Sequence, residues 1–88
     1  NNKAKIRLQE IEKEIADLRE KTSEIDLKWK NEKESVGKIK KIKKELEEAR
    51  LEAEDAESKV DLGKAAEVRY GKIPTLEKKL ESTLKKLK

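Results

Sequence analysis

Twenty carboxylates among 88 residues are the first groups here that could do chemistry, and two pairs of them sit at a usable spacing. Glu10 with Glu14 and Glu20 with Glu24 are four residues apart, so a helix would present each pair on one face, as a general acid and general base require. Any highly charged, solvated helix shows the same spacing, and nothing adjacent sets the two members of a pair to different tasks. No histidine or cysteine accompanies them. The commonest proton shuttle and zinc ligand, thiolate metal sites and disulfides are therefore all missing. Ser23, Ser35, Ser58 and Ser82 have no histidine to activate them. Gly37, Gly63 and Gly71 are isolated, and none opens a GxxxxGK[ST] or GxGxxG phosphate loop. The expectation is a chain that is not an enzyme, with no catalytic, cofactor-binding or metal-binding residue and no ATP turnover.

The other concentrated charge is cationic. Lys38, Lys40, Lys41, Lys43 and Lys44 form one run, and Lys78, Lys79, Lys85, Lys86 and Lys88 another. Between them lie Glu45, Glu47, Glu48, Glu52, Glu54, Asp55 and Glu57. The net charge is only +4, and Trp29 and Tyr70 are the only aromatics that could stack on bases. Weak, salt-sensitive association with nucleic acid is expected, without specificity. No apolar run approaches the ~18 residues that cross a bilayer, and a broad apolar face with aromatic anchors is absent, so no membrane partner is expected. The default location is cytoplasmic, with a mitochondrial or other organellar matrix as the alternative. A start at Asn1 without Met and an end within a running apolar repeat point to a segment of a longer protein.

With 33% hydrophobic and 50% charged residues, the chain cannot fill a thick globular core, and its apolar residues are arranged instead in narrow seams. Ala4, Leu8, Ile11, Ile15, Leu18, Thr22, Ile25 and Trp29 recur every three or four residues. So do Ile39, Ile42, Leu46, Ala49, Ala53, Ala56 and Val60. The spacing predicts an all-α, elongated antiparallel coiled coil with two long helices, about 3–35 and 38–60, and two shorter ones, about 62–70 and 73–88. Gly37 is the expected turn, folding 38–60 back along 14–35 so that Ile42 and Leu46 approach Ile25 and Trp29, with Leu18 and Leu46 buried. Trp29 would cover the hinge of that hairpin or stand exposed as an interface anchor. Asp61 is the expected cap of the third helix, which carries Leu62, Ala66 and Tyr70 before Gly71 interrupts it. Tyr70 could be covered, or could project at that break with its hydroxyl free for a polar partner. Ile73, Leu76, Leu80, Leu84 and Leu87 make the last stripe, with Pro74 in a first helical turn, and its expected partner lies outside these residues.

The stretch VDLGKAAEVRYGKIPTLEKKLE, residues 60–81, resembles the middle domain of the ClpB/Hsp104 family of Hsp100 protein disaggregases. Its most specific part is AAEVRYGKIPTLE, where Ala65, Ala66 and Glu67 precede Tyr70, Gly71, Ile73, Pro74, Leu76 and Glu77. EIDLKWKNEKESV, residues 24–36, is similar to the long first helix of that domain. Val68 stands where Leu is more usual, and the Lys38–Lys44 run is more basic than the family pattern. The resemblance implies a propeller-shaped coiled coil inserted in the first of two AAA+ modules of a hexameric ring, and this chain would supply one wing and part of the other. It implies a regulatory segment rather than a hydrolytic one, with ATP and Mg held only by the parent's ATPase modules. The implied partners are the Hsp70 chaperone, the AAA+ modules and neighbouring middle domains. The regulatory surface would comprise Glu67, Arg69, Tyr70 and Gly71. A structural coiled-coil spacer or helix-mediated interaction domain is the alternative from the residues alone, and a basic nucleic-acid adaptor a weaker one.

Overall fold

The computed structural model describes residues 1–87, and helices account for nearly all of them. Helix α1 spans Asn2–Ser58, α2 spans Leu62–Glu67, a π-helical turn occupies Val68–Lys72, and α3 spans Ile73–Lys86. The all-α expectation holds, but the two expected long helices are one. Gly37 lies inside α1 without a positive φ, and a Cβ placed there would meet nothing within 4 Å. A glycine inside a helix costs only about 1 kcal/mol relative to alanine, and the strong helix formers around it offset that cost. The turn expected at Gly37 and the pairing of 14–35 with 38–60 are therefore both corrected. Of the last expected helix, 73–88, Lys88 lies outside the described residues.

The chain divides into two units, Asn1–Asn31 and Glu32–Lys88. In the first, the Asn1 side-chain oxygen accepts from the Ala4 N–H at 2.9 Å, capping the first turn of α1. Leu8, Ile11, Ile15, Leu18, Ile25 and Trp29 are all exposed along this part of α1. Trp29 covers no hinge, being 63% exposed, and the expected burial of Leu18 is corrected too, at 64%.

The second unit is a helical hairpin. Ile39, Ile42, Leu46, Ala49, Ala53 and Ala56 are buried on α1, and Ala65, Val68, Ile73 and Thr83 on the returning segments, with Leu76 and Leu80 packed against the same core. The partner of the second seam is thus the last stripe, not the first. Ala49 and Ala53 are fully covered, because small side chains let the facing helix come close.

Its turn is made by Lys59, Val60 and Asp61. The Asp61 N–H donates to the Ala56 carbonyl at 2.8 Å, and the Val60 N–H to that of Glu57 at 3.0 Å. This is the paired closure that ends helices with a left-handed residue, and Val60 takes that conformation at φ 58. A β-branched side chain there costs on the order of 1–2 kcal/mol. The Asp61 side chain accepts from the Lys64 N–H at 3.2 Å, so one residue closes α1 and caps α2 as expected. Val60 and Leu62, expected in the seam, are instead exposed at this tip.

The returning strand of the hairpin does not break at Gly71. Lys72 and Ile73 keep right-handed helical angles, and the Ile73 N–H reaches back five residues to the Val68 carbonyl. Pro74 supplies the cause: it has no N–H, and in a regular α-helix its ring would press on the carbonyl of Tyr70, so the turn before it widens. The widening inserts a five-residue step, Val68 to Ile73, into the buried series. Before the turn the buried series therefore runs through Ala65 and Val68 rather than Ala66 and Tyr70, and beyond Leu80 it continues at Thr83, with Leu84 and Leu87 at 42% and 38% exposed.

Candidate functional site

The four residues singled out by the resemblance lie on or beside the π turn, and the fold gives them different surroundings. Tyr70 is 82% exposed, the most exposed of the large hydrophobic side chains described. Its neighbours Val68 and Ile73 are buried, so the widened turn rests on the core through them while the Tyr70 ring stands in solvent. Gly71 offers its carbonyl to the Thr75 hydroxyl at 2.8 Å, which occupies one acceptor in the stretch where Pro74 has no N–H to donate. A Cβ at Gly71 would meet nothing within 4 Å.

Arg69 is tied down. Its Nε donates to Glu57 Oε1 across the hairpin, and that hydrogen bond, followed by the Coulombic pull of Glu57 and Glu54, raises the guanidinium pKa further above its ordinary value. Lys72 Nζ meets Glu52 Oε2 at 3.1 Å, and Lys64 Nζ lies 3.9 Å from the other oxygen of the same carboxylate. Cations from α2 and the π turn thus clamp onto two acids of α1 and hold the Tyr70 segment in register. Glu67 joins Glu52, Lys64, Val68, Gly71, Lys72, Thr75 and Leu76 around a shallow groove on this face. In the sequence the clamp acids Glu52 and Glu57 are only part of an acidic block, because their partners are set by the hairpin pairing.

The fold also gathers what the sequence kept apart. At the open end of the hairpin, Lys38 and Lys41 of α1 share a groove with Lys79 and Lys86 of α3, around Ile42 and with Ser35, Glu45, Ser82 and Thr83. Among the described residues no group of acidic, histidine or cysteine side chains could hold a metal ion, and no helix is long and apolar enough to cross a membrane. Glu10, Glu14, Glu20 and Glu24 are all exposed on α1, and Glu10 pairs with Arg7 at 3.3 Å.

No protein-family model and no solved structure matches the chain. Known proteins do. It is 44% identical over 81 residues to the chaperone protein ClpB of Mycobacterium leprae (strain TN), and 46% identical over 81 residues to that of Corynebacterium efficiens. It is likewise 46% identical over 81 residues to the probable chaperone protein ClpB 1 of Chlorobaculum tepidum. Each alignment takes in 92% of this chain, which spans 10% of the first two proteins and 18% of the third. The resemblance carried by residues 60–81 is borne out.

Proposed function

This chain is a segment of the ClpB chaperone family, and we propose that it regulates a protein disaggregase, restraining its AAA+ ATPase and coupling it to an Hsp70 chaperone. The observation that supports regulation over mere spacing is Tyr70, an aromatic ring at 82% exposure on a turn held by the core and by cross-hairpin ion pairs. A spacer needs the buried seam but has no use for a solvent-facing ring on a rigid seat. In this reading ATP and Mg belong to the parent's ATPase modules, in a hexamer located in the cytoplasm or an organellar matrix. The segment's own contacts are those modules, neighbouring middle domains and Hsp70. Glu67 and Gly71 flank Tyr70 on that surface, and Arg69 holds it in place through Glu57.

The test is Tyr70→Asp in the parent and in this chain. Unchanged helicity of the chain with altered ATPase restraint and altered Hsp70-dependent disaggregation is the expected result. Unchanged ATPase rate and disaggregation would remove Tyr70 from the regulatory surface, and lost helicity would assign it to the fold.

A helix-mediated interaction is a second reading, favoured by the exposed stripe from Leu8 to Trp29. Ile15→Glu in the parent should then weaken assembly or disaggregation, and wild-type behaviour would discard it.

A further inference from the structure

The lysine-rich end of the hairpin has no task in that reading. At the turn end the cations pair with acids across the hairpin, Arg69 with Glu57 and both Lys64 and Lys72 with Glu52. At the open end, the ion pairs among the described residues include none of Lys38, Lys41, Lys79 and Lys86. The pair nearest by is Lys85 with Glu81, at 3.3 Å within α3. Two lysine runs far apart in sequence thus meet around one groove, where Glu45 is the single acid and Ser35, Ser82 and Thr83 add hydroxyls. The Thr83 hydroxyl is already committed, donating to the Lys79 carbonyl at 2.8 Å. Holding four ammonium groups around a single carboxylate is unfavourable for the isolated hairpin, and an anionic partner would relieve the repulsion.

We propose that this groove docks an acidic peptide segment of a partner protein, one that mixes carboxylates with apolar side chains. Charge complementarity selects an anion. Val36, Leu84 and Leu87, each next in sequence to a groove residue (Ser35, Thr83 and Lys86), are exposed, and such apolar neighbours suit apolar side chains rather than a sugar–phosphate backbone. Neither aromatic is among the groove residues, so bases would find nothing to stack on, and Glu45 together with Glu81 interrupts any continuous cationic track for phosphates. The inference does not depend on the regulatory role of Tyr70, since it concerns the other end of the hairpin and is tested on this chain alone.

The experiment is fluorescence-anisotropy titration of the 88-residue chain against a labelled twelve-residue peptide of repeated Glu-Asp-Leu. Its Gln-Asn-Leu counterpart and a twenty-nucleotide oligo-dT serve as competitors. The acidic peptide should bind saturably, and raising salt from about 50 to 200 mM should weaken it, as screening requires. Lys41→Glu with Lys79→Glu should weaken binding by about tenfold or more, whereas Lys3→Glu with Lys5→Glu, the same change in net charge away from the groove, should change it by less than about twofold. Circular dichroism is the check that both double variants remain helical, and if the first does not, Lys41→Gln with Lys79→Gln provides the same comparison. Equal losses in both double variants, absence of peptide binding at low salt, equal binding of the uncharged peptide, or tighter binding of oligo-dT than of the acidic peptide would each overturn the proposal.

Discussion

Residues 4–29 and 39–56 of α1 follow one spacing rule and meet opposite fates. Ile11, Ile15, Leu18 and Ile25 are exposed, while Ile42, Leu46, Ala49 and Ala53 are buried at 4% exposure or less. The more hydrophobic stretch is the uncovered one. A heptad therefore records a demand for a partner, and the topology decides which stretch receives one. Here the turn at Val60 delivers α3 to the second stretch.

The sharpest way to break this contrast is a matched pair of truncations. Leu46→Ala should cost about 2–5 kcal/mol in urea unfolding, because it opens a cavity in the packed hairpin. Leu18→Ala, from an exposed site, should stay within about 0.5 kcal/mol. Equal costs would mean that the first stripe is covered in solution. Overpacking probes the same surface: Ala53→Leu, at a position with no exposure, should destabilise by about 1–3 kcal/mol.

Backbone substitutions sharpen where the chain turns and where it does not. Val60→Gly removes a β-branched residue from a left-handed position, and after the greater unfolded-state freedom of glycine is subtracted it should stabilise by up to about 1 kcal/mol. Gly37→Ala should also raise the melting temperature, by the equivalent of about 1 kcal/mol, since the site is helical and open. A melting temperature lowered by Gly37→Ala would restore the turn to Gly37. The smallest effect belongs to the clamp. Glu52→Gln releases Lys64 and Lys72 from partly exposed ion pairs and should cost well under about 1 kcal/mol in the same unfolding experiment, less still in high salt.

The sequence made the second seam legible from Ile39 to Ala56, together with the cap at Asp61 and the specific run around Tyr70. It misled at Gly37, because a lone glycine reads as a helix end although its penalty is small beside the propensity of its neighbours. It concealed the true turn, since Val60 carries none of the usual left-handed preference. Ala65 and Val68 escape because periods of 3.5 and 3.6 contain no five-residue step, and Thr83 because a polar residue carries no apolar signal beside Leu84. Pro74 is the available signal, but a proline suits a first helical turn as well as it widens the turn before it. The Arg69–Glu57 clamp and the lysine groove could not be read before the pairing of the helices was known.

The short connection through Val60 also bears on the order of events in folding. Residues on either side of it, Ala56 and Ala65, are close in sequence and both buried, so the first contacts close a small loop at little entropic cost. Zippering can then proceed outward through Ala53, Leu46 and Ile42 with each new contact only slightly less local than the last, in the manner of a fast-folding helical hairpin. The strained valine would thus sit at the nucleation point, where relieving it accelerates folding more than it slows unfolding.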